Sequence, residues 1–320
     1  MISKYVECLI PITKCNLECE YCYVIQEKRR DNKAPKFKKI PKEIGKAFDA
    51  HRWGGKMLVN LCGAGETMLC QELPEIVYHI VKEGHIVNIT NNGTVTKSIK
   101  ELLSLPEEIT SRILFSFSLH YLELKKRGML KVFADNVKRV KVSKASFFVQ
   151  INLCDGYIEC LEEIKEYCMH NFGALPQVAL TRKEFPDMDI YTKHSKEEYK
   201  KYAKQFDSPM FDMMYDNFKV KRTEYCNAGK RSYTLNLATG DLKRCYFEKP
   251  FMNIYDSDEN IPERSVGNHC GDKFCINAIH FISLGVVPEI NCLTYAGLRN
   301  REGAGWFKET ILNELASKFE

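Results

Sequence analysis

The chain has 320 residues, of which 44% are hydrophobic and 28% charged, and a formal net charge of +5. These values are ordinary for a globular protein with one large or two modest domains. No apolar run reaches the roughly eighteen residues of a membrane span, and the first residues lack the basic, apolar and small-residue regions of a secretory signal. We therefore expect a cytoplasmic protein with no membrane partner. Its mild, interspersed charge does not indicate a nucleic-acid partner.

Through the first two thirds of the chain, short apolar runs alternate with longer amphipathic ones, which is typical of repeated βα units. These runs predict strands over residues 6–12, 56–62, 85–90, 112–119, 147–153 and 177–181. Helices are predicted over 41–51, 72–83, 97–105, 130–142, 158–170 and 196–205. Such units are too few to close an eight-stranded barrel, so the pattern predicts an α/β fold with a partial (β/α)6 TIM-like barrel.

From about residue 219 the pattern changes to a β-hairpin over 233–237 and 242–246, with its turn at Gly240 and Asp241. Irregular sequence rich in cysteine follows, and the chain ends in a predicted amphipathic helix over 306–319. We therefore predict two domains. The partial barrel covers residues 1–215, and a small C-terminal hairpin and cysteine-rich domain covers residues 216–320.

The composition is unusual in its fourteen cysteines. Because thiols stay reduced in the cytoplasm, metal or redox chemistry is favoured over a disulfide framework. Three of them, Cys15, Cys19 and Cys22, follow the first predicted strand in a C-x3-C-x2-C spacing. Three thiolates this close can bind three irons of a [4Fe-4S] cluster and leave the fourth iron open for chemistry. The alternative is a structural zinc site, although such a site needs four ligands.

This motif, with an aromatic residue, Tyr21, before its last cysteine, resembles that of the radical S-adenosylmethionine (radical SAM) superfamily. The resemblance continues at the end of the second strand, where residues 63–66 (Gly-Ala-Gly-Glu) occupy the place of that family's GGE motif. Glycines there would let the backbone approach the cofactor, and the carboxylate of Glu66 would hold its ammonium group.

The resemblance also implies the cofactors and their ligands. Cys15, Cys19 and Cys22 would hold a catalytic [4Fe-4S] cluster whose open iron binds S-adenosyl-L-methionine. An electron from the cluster would then generate a 5′-deoxyadenosyl radical, with flavodoxin or ferredoxin as the external electron donor. The residues implied to bind the cofactor are Tyr21, Gly63, Ala64, Gly65, Glu66, Asn92 and Ser118.

Chemistry in barrels of this kind sits at the C-terminal ends of the strands. His120, Cys154 and Arg182 follow predicted strands and are therefore candidate catalytic residues. Turn chemistry or ordinary polar packing is the alternative for each of them.

Cys226, Gly240 and Cys245 form a C-x13-G-x4-C spacing around the hairpin, which resembles the opening of SPASM and twitch domains. The resemblance implies an auxiliary [4Fe-4S] cluster. Its predicted ligands are Cys226, Cys245, Cys270 and Cys275, with Cys292 as the alternative fourth ligand. Four thiolates would suit zinc equally well.

The leading hypothesis is a radical SAM enzyme that abstracts a hydrogen atom from a ribosomally made peptide or protein. The alternative within the same chemistry is the oxidation or rearrangement of a small molecule such as a nucleotide, a sugar or an aminoglycoside. The alternative from another class is a zinc-stabilised binding protein on a degenerate barrel, which docks a partner through the basic segment 28–39.

Overall fold

The computed structural model describes residues 1–183, 188–268, 270–275 and 278–319. Within these residues the strands form a nine-stranded sheet in the order β6-β5-β4-β3-β2-β1-β7-β8-β9. Strands β1 to β7 pair in parallel, and β7, β8 and β9 pair antiparallel. The predicted α/β fold, a partial barrel followed by a hairpin, is confirmed. The strands are β1 (Lys4–Ile10), β2 (Met57–Gly63), β3 (Ile86–Asn91), β4 (Ile113–Ser118), β5 (Ser146–Leu153), β6 (Gln177–Leu180), β7 (Ser232–Asn236), β8 (Asp241–Lys243) and β9 (Met252–Asn253).

Helices connect the parallel strands, as the amphipathic runs predict. The helix expected over 158–170 begins slightly later, because Cys160 is the N-cap residue of the helix over Leu161–Phe172, and a separate short helix over Asp155–Ile158 precedes it. The helices are α1 (Tyr23–Gln26), α2 (Pro41–Lys46), α3 (Leu73–Lys82), α4 (Thr96–Leu103), α5 (Glu107–Thr110), α6 (Tyr121–Lys126), α7 (Leu130–Lys141), α8 (Asp155–Ile158), α9 (Leu161–Phe172), α10 (Lys196–Lys204), α11 (Pro209–Asp216), α12 (Ala278–Ser283), α13 (Tyr295–Arg299) and α14 (Glu309–Leu315).

None of the helices in the described ranges is both long and apolar enough to cross a bilayer.

The two faces of the sheet differ in chemistry. Residues paired in register share a face, and successive residues of a strand alternate between faces. On the face that the helices of repeated βα units cover, the paired positions are apolar, as at Val6, Val59 and Val87. On the opposite face, the interior of the partial barrel, β7, β1, β2 and β3 bring four buried polar residues into one row. In sheet order this polar row consists of Thr234, Glu7, Asn60 and Asn88.

The C-terminal hairpin continues the barrel sheet. Strand β7 pairs with β1 from Tyr5 opposite Ser232 to Leu9 opposite Asn236. The hairpin is therefore hydrogen-bonded through its main chain to β1, the strand that leads into the first cysteine motif. The boundary predicted between residues 215 and 216 falls at the end of α11, and the division into two domains stays a prediction.

Candidate functional site

The first cysteine motif lies in the loop between β1 and α1. Cys22 is the N-cap residue of α1, and its backbone N–H donates to the Cys19 carbonyl at 3.0 Å. The backbone N–H of Leu17 donates to Cys15 Sγ at 3.4 Å. Burial raises the pKa of Cys15 and of Cys19, and the charge of neighbouring thiolates raises both further. The three thiols are therefore neighbours on one loop, and this set of soft donors fits the three-cysteine ligation of a [4Fe-4S] cluster.

Within the described ranges, no group of three or more His, Cys, Asp and Glu side chains is arranged as a site for a single metal ion.

Two glycines at the end of β2 allow this strand to lie against the start of the cysteine loop. Gly65 donates its backbone N–H to the Ile12 carbonyl at 2.7 Å. A Cβ atom at Gly65 would lie 2.2 Å from the Lys14 carbonyl oxygen, and one at Gly63 would lie 2.6 Å from Ile12 Cγ2. Any side chain at Gly65 would therefore push the cysteine loop away from β2. Ala64, between the glycines, is half-buried.

Glu66 ties the end of β2 to the end of β3. Its side chain is 2% exposed and accepts hydrogen bonds from the backbone N–H of Met68 at 2.9 Å and of Asn92 at 2.7 Å. Burial raises the pKa of the carboxyl to about 7, against the lowering effect of these two hydrogen bonds. The contact of Glu66 with a cofactor ammonium group stays a prediction.

Asn92 continues the connection to the cysteine loop. Its side-chain Nδ2 donates to Asn16 Oδ1 at 2.9 Å and lies 3.8 Å from Cys15 Sγ. Its Oδ1 accepts from the backbone N–H of Thr94 at 3.1 Å. The structure thus brings the ends of β1, β2 and β3 together around Cys15, as the sequence analysis expects of a shared site.

The aromatic residue of the motif, Tyr21, is held by two side chains that follow later strands. Its hydroxyl lies 2.6 Å from His120 Nδ1 and 3.3 Å from the hydroxyl of Tyr157. Burial lowers the pKa of His120 to about 4, so the imidazole is neutral at pH 7. Cys154 lies near Tyr21, and burial raises the pKa of its thiol to about 12. This part of the site therefore contains a neutral imidazole that orients Tyr21 and, beside it, a protonated thiol. Ser118, the last residue of β4, is buried.

The second cysteine group gathers beside the hairpin. Cys226 and Gly267 exchange two backbone hydrogen bonds, of 3.2 and 2.9 Å. Burial raises the pKa of Cys226, and the thiolate of Cys270 raises it further. Burial also raises the pKa of Cys245, to about 12, and the thiolate of Cys226 adds to that rise. Cys275 and Cys292 pack with Cys226 against one small apolar cluster. All five predicted thiols therefore lie in one region.

Comparisons with known proteins bear on the fold. No protein-family profile matches the chain, and no curated protein sequence matches it. Among solved structures, SuiB of Streptococcus suis bound to S-adenosylmethionine is 13% identical, with a TM-score of 0.52 over 80% of this chain. The protein anSMEcpe with bound AdoMet is 13% identical, with a TM-score of 0.56 over 80% of this chain and 78% of that one.

A further structure, anSMEcpe with bound AdoMet and Cp18Cys peptide, is 14% identical, with a TM-score of 0.55 over 79% of this chain and 78% of that one. The chain covers 64% of SuiB. The chain shares the fold of these S-adenosylmethionine-bound structures, and the expected resemblance to radical SAM enzymes is confirmed at the level of the fold.

In this fold, the polar row occupies the barrel interior, and it was not predicted from the sequence. Glu7 accepts hydrogen bonds from the hydroxyl of Tyr5 and, at 3.0 Å, from the thiol of Cys62. At the two ends of the row, Asn88 Oδ1 and Thr234 Oγ1 are buried and have no hydrogen-bond partner among the described residues. The interior therefore offers polar atoms that a bound molecule or water can satisfy. An acid inside an otherwise apolar predicted strand is the signal that identifies Glu7 from sequence.

Arg182 lies near Tyr246, which follows the second strand of the hairpin. It forms an isolated antiparallel bridge with Ile190. Burial raises the pKa of Tyr246, with Glu7 adding to the rise and the positive charge of Arg182 opposing it. Since Tyr246 directly follows Cys245, this phenol connects the second cysteine group with the polar row.

Proposed function

We propose that the protein is a cytoplasmic radical SAM enzyme that modifies a peptide or protein substrate. The observation that carries the proposal is the C-x3-C-x2-C loop, whose three neighbouring thiols are held against the ends of β2 and β3 by Gly65, Glu66 and Asn92. The radical SAM fold supports it, because SuiB and anSMEcpe were solved with S-adenosylmethionine bound.

Cys15, Cys19 and Cys22 would hold the catalytic [4Fe-4S] cluster. When bound, this cluster supplies the electron that breaks a C–S bond of S-adenosylmethionine and gives methionine and a 5′-deoxyadenosyl radical, which takes a hydrogen atom from the substrate. The side chains and turns around the cluster would hold the cysteine loop and Tyr21 in place. The turn at residues 63–66 and the amide of Asn92 fix the loop, and neutral His120 fixes the ring of Tyr21. The buried polar row would orient the part of the substrate that enters the barrel.

Cys226, Cys245, Cys270 and Cys275 would hold an auxiliary [4Fe-4S] cluster, with Cys292 as the alternative ligand. A peptide substrate is supported by the structure of anSMEcpe with a bound peptide, which shares the fold of this chain. A small-molecule substrate is the alternative. The external electron donor would be a flavodoxin or ferredoxin.

Anaerobic reconstitution tests the proposal. We expect about eight irons per chain in the wild type and about four after Cys15, Cys19 and Cys22 are all changed to Ala, because each cube holds four irons. With dithionite and S-adenosylmethionine, the wild type should release 5′-deoxyadenosine and the triple variant should not. A colourless wild-type protein that takes up stoichiometric zinc and no iron would contradict the proposal and favour a zinc-stabilised binding protein.

A further inference from the structure

The chain reverses direction directly after the cysteine motif. Helix α1 ends at Gln26, and Lys28 has φ = 56°, in the left-handed region that terminates many helices. The backbone N–H of Lys28 donates to the Ile25 carbonyl at 3.0 Å, and that of Arg29 to the Val24 carbonyl at 2.9 Å. This left-handed turn sends the following residues back toward the loop that carries the cysteines.

Two contacts hold the returning segment on that loop. Thr13 Oγ1 donates to Asp31 Oδ1 at 2.9 Å and accepts from the backbone N–H of Asp31 at 2.9 Å. Next to it, Arg30 Nη2 donates to the Leu17 carbonyl at 2.7 Å. Leu17 lies between Cys15 and Cys19, so the guanidinium group of Arg30 is bonded to the middle of the cysteine motif.

The guanidinium of Arg30 is not fully used by these contacts. The side chain is 21% exposed, and its Nε atom is buried with no hydrogen-bond partner among the described residues. The acid paired with it, Glu18, lies 4.0 Å away and also pairs with Arg127 at 3.1 Å. The positive charge of Arg30 is therefore only weakly compensated by carboxylates.

Arg30 lies beside the thiols through Leu17. Its Nη2 bonds the Leu17 carbonyl, and the backbone N–H of Leu17 donates to Cys15 Sγ at 3.4 Å. The group thus places a positive charge, and an N–H donor with no partner among the described residues, next to the loop that carries the three cysteines. Hydrogen bonds to sulfur and net charge are two of the properties by which a protein sets the reduction potential of an iron–sulfur cluster.

We propose that Arg30 is a positioning residue that holds the Cys15–Cys22 loop through Leu17 and, through its charge and its Nε–H, raises the reduction potential of the cluster bound there. The inference rests on the proposed function, since it needs that cluster. A positive charge beside the cluster favours the reduced state, because reduction adds a negative charge. The electron needed for S-adenosylmethionine cleavage would then be accepted at a less negative potential.

The test compares the full-length, anaerobically reconstituted wild type with R30Q, R30K and R29Q. Arg29 is the matched control, because it is the adjacent arginine, is 46% exposed and pairs with Glu27. The readout is the midpoint potential in a redox titration followed by electron paramagnetic resonance. The titration follows the component of the spectrum that changes when S-adenosylmethionine is added, because that component comes from the N-terminal cluster.

We expect the midpoint potential of R30Q to shift to a more negative value, that of R30K to shift less because the charge is kept, and that of R29Q to match the wild type. If R30Q loses iron, R30K still tests the loss of Nε–H at constant charge. Wild-type potentials in both R30Q and R30K would overturn the inference and leave the proposed function standing. A wild type that takes up no iron would overturn the proposed function and this inference with it.

Discussion

The carboxylate of Glu66 accepts a hydrogen bond from the backbone N–H of Asn92 at 2.7 Å, across two strand ends that are 26 residues apart in the chain. The same carboxylate accepts from Met68 within its own turn, and the side chain of Asn92 reaches the first cysteine of the loop. This pair therefore connects the glycine turn with the cysteine loop.

Changing Glu66 to Ala should destabilise the metal-free protein by about 2 kcal/mol at pH 5, because two buried N–H groups lose their acceptor. The cost should be smaller at pH 7.5. Burial raises the pKa of Glu66 from 4.5 to about 7, so the native state binds the proton more tightly than the unfolded state does. The stability that Glu66 contributes therefore falls as the pH rises from 4.5 to 7. Urea denaturation at both pH values measures the difference.

The control for this experiment is Glu75→Ala. Glu75 is 64% exposed, and its replacement should cost little at either pH. A cost of Glu66→Ala that is the same at pH 5 and pH 7.5 would contradict the assignment of a raised pKa to this carboxyl.

Changing Gly65 to Ala should displace the cysteine loop. The added Cβ would lie 2.2 Å from the Lys14 carbonyl oxygen, and backbone must move to relieve this overlap. We expect a loss of about 1–3 kcal/mol in the free energy of unfolding and a loss of iron from the N-terminal site after reconstitution. Gly271→Ala is the matched control, because, apart from its chain neighbours, no atom of the described residues lies within 4 Å of a Cβ added there. Normal iron content in the Gly65 variant would show that the loop does not depend on this contact.

Local patterns were enough to predict the cysteine loop, the glycine turn and the strands of the partial barrel, because each is encoded by neighbouring residues. The contacts of Arg30 and Glu7 were not predicted. The first depends on a left-handed residue, Lys28, whose conformation no residue preference indicates. The second depends on strand register, which brings Glu7 opposite Thr234 only because the hairpin strand β7 joins β1. Long-range pairing of this kind leaves no periodic signal in the sequence.

The contact between Tyr21 and His120 should be measurable as a coupling free energy. Their side chains are 99 residues apart in the chain and meet at 2.6 Å. In a double-mutant cycle with Tyr21→Phe and His120→Phe, we expect a coupling of about 1 kcal/mol by urea denaturation of the metal-free protein. Both single variants should keep the iron content of the wild type, because neither change removes a thiol. A coupling near zero would show that the hydrogen bond contributes nothing to the stability of the site.

The last prediction concerns the ligands of the auxiliary cluster. Cys226 interacts electrostatically with both Cys245 and Cys270, whereas the thiol of Cys292 donates to the neighbouring Leu293 carbonyl at 3.2 Å. We therefore expect a variant that lacks the N-terminal cysteines to lose its remaining iron when Cys270 or Cys275 is changed to Ala.

The same background should keep that iron when Cys292 is changed, and Cys168→Ala, in the buried core of α9, is the control for a lost thiol that binds no metal. Four-thiolate ligation leaves no open iron, so the auxiliary cluster would then serve as an electron conduit or a structural element. Loss of iron in the Cys292 variant, with Cys275 dispensable, would assign Cys292 as the fourth ligand. In that case the chain after α12 would supply a ligand to the site, and its packing with Cys226 against the shared apolar cluster would be the contact that positions it.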